Sequence, residues 1–133
     1  MTRNWKNVLG LTVAGSLFAV TGSARAADIE SDDESGACHL SGSLSVHDDE
    51  THWSAIVSDL LGEGNDCYAR LVIQRNERSD SELRSFKTNA ESDNVAWDGT
   101  RKRAQTTGAT LYVCVDRGVE GDDCTEVYHV DEI

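Results

Sequence analysis

Four cysteines, Cys38, Cys67, Cys114 and Cys124, stand behind an export leader and constrain this 133-residue chain more than any other feature. The leader reading rests on residues 1–26. Arg3 and Lys6 supply the positive start, Val8 to Val20 is apolar and uncharged, and Ala24-Arg25-Ala26 offers the small residues a signal peptidase requires. Export places the thiols in an oxidising compartment, where four cysteines with no close C-x-x-C pair read as two disulfides, not a zinc site. The apolar run is shorter than the roughly 20 residues that span a bilayer, and Gly10, Gly15 and Ser16 break it. We therefore expect a secreted, extracellular protein with no membrane span.

The chain carries 24 acidic against 12 basic residues, for a formal net charge of −12. Three of the bases, Arg3, Lys6 and Arg25, belong to the leader, so the exported part is more acidic still. Such a field repels nucleic acid and anionic membranes, and both are excluded as expected partners. Residues 28–36 hold five acids and one large apolar side chain, and 27–37 reads as a flexible acidic tail.

From Cys38 onward the pattern has period two, which is the signature of half-buried strands. Cys38, Leu40, Gly42, Leu44 and Val46 share one face, and His39, Ser41, Ser43, Ser45 and His47 share the other. His47 to His52 is a polar turn, followed by a strand with Trp53, Ala55 and Val57 inward. Gly62 to Asp66 is a turn by composition, and Cys67, Ala69, Leu71 and Ile73 line a third strand. Residues 75–82 form a charged loop. Short strands fit Leu83–Thr88 and Asn94–Trp97, with a helix over 77–87 as the alternative. Thr110–Asp116 and Cys124–Val130 complete the set, joined by a loop at Arg117–Asp123. About seven short strands predict an all-β fold, a small antiparallel β-sandwich occupying 38–133 as a single domain.

Strand phase bears on which cysteines pair. Cys38 and Cys67 both lie on apolar faces, whereas Cys114 falls opposite Leu111, Val113 and Val115, and Cys124 keeps phase with Glu126 and Tyr128. Matching faces favour bridges 38–67 and 114–124, although spacing alone does not decide connectivity.

Two resemblances bear on the fold. Cys38, Trp53 and Tyr112-Val113-Cys114 resemble the Cys…Trp…Tyr-x-Cys spacing of immunoglobulin domains. That resemblance implies an Ig-like sandwich, and it would pair Cys38 with Cys114. His52-Trp53-Ser54-Ala55, Val113-Cys114-Val115-Asp116 and Asp122-Asp123-Cys124, together with Cys38, resemble small disulfide-bridged secreted proteins of actinobacteria. This second resemblance implies location and fold, and it carries over no catalytic residue.

Candidate sites are few. Trp97, beside Asp98-Gly99, reads as lying near a turn with one face free to stack on a sugar. Arg101, Lys102 and Arg103 form the one basic run, and they could touch a phosphate-bearing or uronic polymer. The plain alternatives are core packing for the Trp and a solvated, edge-protecting strand for the cations. Asp116, Glu120, Asp122 and Asp123, with Gly118 and Gly121, could offer oxygen ligands to Ca²⁺. The EF-hand pattern is absent, so we expect no metal, and the acids read as solubility. His47 and His52 do not have a recognised ligand spacing. No cofactor is expected. With no nucleophile or metalloprotease motif, no catalytic residue is assigned. The expected function is a secreted, non-catalytic binding protein whose partner is an extracellular protein or glycan. The alternatives are an inhibitor of an extracellular hydrolase or a wall-binding glycan module.

Overall fold

A computed structural model describes residues 29–61, 66–89 and 92–132. The expected leader at 1–26 and most of the expected turn at Gly62–Asp66 lie outside the described residues. The strands are β1 (Ile29–Asp32), β2 (Cys38–His47), β3 (Glu50–Asp59), β4 (Asp66–Arg75), β5 (Ser81–Arg84), β6 (Asn94–Lys102), β7 (Thr106–Asp116) and β8 (Asp122–Asp131). One 3₁₀ turn, Gly118–Glu120, interrupts the β7–β8 connection. All pairings are antiparallel. One sheet has the order β1-β2-β3-β6 and the other β5-β4-β7-β8. No helix among the described residues is long and apolar enough to cross a membrane.

The two sheets bury the faces that the period-two pattern selects. Leu40, Leu44 and Val46 of β2, Ala55 and Val57 of β3, Ala69, Leu71 and Ile73 of β4, and Leu111, Val113 and Val115 of β7 meet in one core. Fully burying each Leu, Ile or Val contributes about 1.5–3 kcal/mol, so this face-to-face contact drives the fold. Cys38–Cys67 bridges the two sheets, with Cα atoms 5.8 Å apart. Cys114–Cys124 joins directly opposed residues of β7 and β8, with Cα atoms 4.0 Å apart. These are the pairings favoured by strand phase. The Cys38–Cys114 pairing implied by the immunoglobulin resemblance is not formed.

Three expectations need correction. The stretch 27–37 is not a free tail over its described part, because Ile29–Asp32 pairs with Gly42–His39 as an edge strand. Its acidity is offset locally. Asp32 Oδ1 lies 2.6 Å from His39 Nδ1, and Asp33 Oδ1 accepts from the Cys38 N–H at 2.8 Å while Oδ2 accepts from Ser35. Burial alone would push the Asp33 carboxyl up, but the hydrogen bonds from Ser35, Cys38 and Ala37 outweigh it and hold it below its ordinary value.

The second correction concerns the turn at 47–52. It shrinks to Asp48-Asp49, both at positive φ, which is the two-residue hairpin whose twist matches the strands. The third concerns β8. A register shift beside Leu111/Tyr112 changes the phase, so Val130 is buried and Tyr128 packs against the core instead of facing outward.

Candidate functional site

The residues singled out in the sequence do not assemble into one site. Trp97 is not near a turn but mid-strand in β6, opposite Ala55, and faces inward. Its ring sits 5.3 Å from that of Trp53, centroid to centroid, and packs against the core. Gly99 follows because a Cβ there would stand 2.7 Å from Cζ2 of Trp53. Trp97 is thus half-buried lining, without the open face that sugar stacking needs.

The basic run is split by the pleat. Arg101 lies opposite buried Thr51 on the inner side, and Lys102 opposite Glu50 on the outer side. Arg103 is structural. Its N–H donates to the Asp49 carbonyl at 3.0 Å, its Nε to Ser81 Oγ at 3.3 Å, and its carbonyl accepts from Thr106. No single cationic patch results.

The acids of the β7–β8 connection are likewise spent separately. Asp116 pairs with Lys87 at 2.6 Å and accepts from the Gly118 N–H at 2.8 Å. The hydrogen bond from Lys87, followed by that from the Gly118 N–H, holds the Asp116 carboxyl below its ordinary value against the small opposing effect of desolvation. Asp123 pairs with Arg117 at 2.6 Å, and Asp122 accepts from the Tyr68 hydroxyl. Glu120 lies on the exposed 3₁₀ turn. Among the described residues, no three His, Cys, Asp or Glu side chains gather as a metal site.

Tyr68 anchors this region. It is buried against Cys114, with Arg84 and Lys87 over its ring at 5.7 and 5.6 Å. Burial first, and then Asp122, push its phenol up to about 12. In the unfolded chain it ionises near 10. The neutral phenol therefore stabilises the fold fully below pH 10, and that contribution falls as pH rises from 10 through 12. Tyr68→Phe should remove the tyrosinate absorbance step near 12 and flatten the alkaline stability limb. An unchanged limb would overturn this assignment.

Two surfaces remain, and neither was legible as a site in the sequence. The first is the end of the sandwich where β3, β4, β7 and β8 meet the connecting loops. Leu60 is 50% exposed, Leu61 58% and Val119 106%. Phe86, 87% exposed, lies on the segment after β5 that runs along β4, where Ser85 N–H donates to Ala69 and Thr88 N–H to Cys67. The Lys87–Asp116 pair ties that segment to the β7 terminus. Isolated apolar residues in loops carry little signal before folding, and only the register shows that these share an end.

The second surface is the outer face of the β1-β2-β3-β6 sheet. Register places Ser43, Ser54 and Asp98 in one row across three strands, and Ser45, His52 and Thr100 in the next. These residues line a shallow depression of about 320 Å³. A second depression, of about 380 Å³, continues it toward β1 along Ser41 and Glu30 and shares Ser43 and Ser54. Small side chains make the face concave. His52 Nδ1 is 3.1 Å from Thr100 Oγ1, and its Nε2 is 2.8 Å from Glu50 Oε1. Thr110, His129 and Asp131 repeat this hydroxyl–imidazole–carboxylate order on the other sheet at 2.7 and 2.9 Å. The order alone does not make an acyl-transfer site. Such chemistry needs donors aimed at a developing oxyanion, and Asp98 beside Ser54 would repel one.

No protein-family model, curated protein or solved structure matches this chain.

Proposed function

We propose that this chain is a secreted, non-catalytic binding protein that contacts a protein partner through the loop end of the sandwich. One observation carries the reading. Leu60, Leu61, Phe86 and Val119 are held exposed at or beside one end of the domain, and they are four of the five exposed large apolar side chains among the described residues, the fifth being Ile56 of β3. Exposed apolar groups of this size, gathered on a rigid frame, favour an interface. A bridged frame also loses little entropy on binding. The export leader and two disulfides support an extracellular setting.

Charge narrows the partner. Asp66, Asp93, Glu120 and Asp122 surround this end, while its cations Lys87 and Arg117 are already paired with Asp116 and Asp123. The complementary surface is apolar at its centre and basic at its rim. An extracellular hydrolase with a basic cleft rim is the partner class that fits the inhibitor form of this reading.

The test compares the oxidised protein with a Leu60→Asp/Leu61→Asp variant and with Val119→Asp, each immobilised against the producer's culture fluid. A partner retained by the parent protein should bind the variants at least about 30-fold more weakly, as expected for a hot-spot loss near 2 kcal/mol. Thermal midpoints should stay unchanged, because these side chains are exposed. A partner that binds parent and variants equally, or the absence of any partner, would refute the reading.

A further inference from the structure

We infer that the serine-lined depression on the outer face of the β1-β2-β3-β6 sheet is a binding site for an uncharged oligosaccharide, with Asp98 taking adjacent sugar hydroxyls. This goes beyond the loop-end contact and uses a different face of the domain.

The first support is a hydroxyl without a protein partner, carried by a nearly buried residue and open to the depression. Ser45 is 8% exposed, lies on the outward phase of β2 and lines the depression. Its hydroxyl makes no hydrogen bond to another described residue, and neither do those of Ser41, Ser43 and Ser54. With no protein partner and an opening into the depression, this hydroxyl is available to a hydrogen-bonding ligand in place of water. Each serine both donates and accepts, which suits a ligand that does the same at every carbon.

The second support is Asp98. It stands in the row with Ser43 and Ser54, and it pairs with no cation among the described residues. A free carboxylate on a rigid strand accepts two neighbouring hydroxyls at once, and charge-assisted bonds of this kind are about twice as strong as neutral ones. Glu30 at the β1 end adds negative potential along the same face, while Glu50 stands opposite Lys102 at its far edge. Uronates, phosphorylated sugars and nucleic acid are thereby repelled, while neutral sugars are not.

The third support is shape. The two depressions share Ser43 and Ser54 and run across the strands from Thr100 to Glu30. Strand spacing of about 4.8 Å repeats the hydroxyl rows along that track. A chain of sugar units follows such a track, whereas a compact ligand would occupy one depression. Two rings border the first depression, Trp53, which is 6% exposed and packs inward against Trp97, and the His52 imidazole, which is held between Glu50 and Thr100, so the contact is mainly polar and weak. Trp97 plays no part, because it lies on the inner face of the same sheet.

The experiment is a backbone-amide NMR titration of the oxidised protein with cellopentaose, maltopentaose, xylopentaose and mannopentaose, and with a pentauronate as the charged control. One or more neutral probes should shift the amides of Ser43, Ser45, Ser54, Asp98 and Thr100 and leave those of Leu60, Leu61 and Val119 in place. The pentauronate should shift none. Asp98→Asn should weaken binding about tenfold, and Ser45→Val should weaken it at least as much by filling the depression. The parent spectrum elsewhere shows whether each variant is folded, and Asp98→Asn alters an exposed side chain only. Absence of shifts at these amides with every neutral probe would overturn the inference. So would binding that survives both substitutions, or a preference for the pentauronate.

Discussion

Replacing Cys38 and Cys67 together by Ala should cost more stability than replacing Cys114 and Cys124. The first bridge spans a sequence separation of 29 and the second one of 10. On loop-closure entropy alone these separations correspond to roughly 3.6 and roughly 2.7 kcal/mol. Burial widens the gap. Cys38 and Cys67 are both fully buried and tie one sheet to the other, so their loss also leaves unfilled space between the sheets. Cys114 is buried, but Cys124 is exposed, and its strand stays registered by the β7–β8 ladder. A domain of this size has about 5–15 kcal/mol in total. The Cys38→Ala/Cys67→Ala protein should therefore melt on the order of 15–25 °C lower. Thermal unfolding of both double variants decides the matter. An equal or reversed order of the two midpoints would contradict the assignment of Cys38–Cys67 as the principal staple.

Gly42→Ala should be the most damaging single exchange outside the cysteines. A Cβ at this position would sit 1.9 Å from the Ser54 carbonyl oxygen and 2.8 Å from Ala55 Cα. Both obstacles are backbone of the neighbouring strand, so no side-chain rotation relieves the clash. β2 and β3 must separate at the centre of their ladder, where Gly42 pairs with Ala55. We expect a loss of about 3 kcal/mol, at the upper end of the cost of overpacking. Gly118→Ala is the control. It has open space around it but a φ of +65°, and it should cost about 1 kcal/mol from backbone strain alone. Urea denaturation of the two variants separates the mechanisms. A Gly42→Ala protein as stable as Gly118→Ala would show that the strands can part freely, contrary to this account.

Legibility in the sequence followed physical range. Alternation is a local property, and it correctly placed Leu40, Leu44 and Val46 of β2, Trp53, Ala55 and Val57 of β3, and the inward residues of β4 and β7. It also set the cysteine phases, and the observed bridges match them. It failed for Ile29–Asp32. Composition there predicts solvation, but pairing with β2 and the Asp32–His39 and Asp33–Cys38 contacts depend on residues that only folding brings near. It failed again after the register shift in β8, because one extra residue inverts every later side chain. Asp98-Gly99 read as a turn because those residue types favour turns. In the folded chain, however, the glycine makes room for Trp53.

The candidate sites show the same division. Ser41, Ser43 and Ser45 were visible as the outward phase of β2, yet nothing local says that Ser54, Asp98 and Thr100 join them. That requires the order β2-β3-β6, which brings residues 43, 54 and 98 into one row. The sequence by itself determined the strand character, the inward faces, the acidity and the pool of bridging thiols, because hydropathy period, charge and residue chemistry are properties of neighbours along the chain. Only the tertiary structure decided which strands adjoin, which carboxylates are already paired, and which apolar side chains and hydroxyls are left for a partner. Those outcomes depend on long-range register, in which a shift of one residue exchanges the buried face for the exposed one.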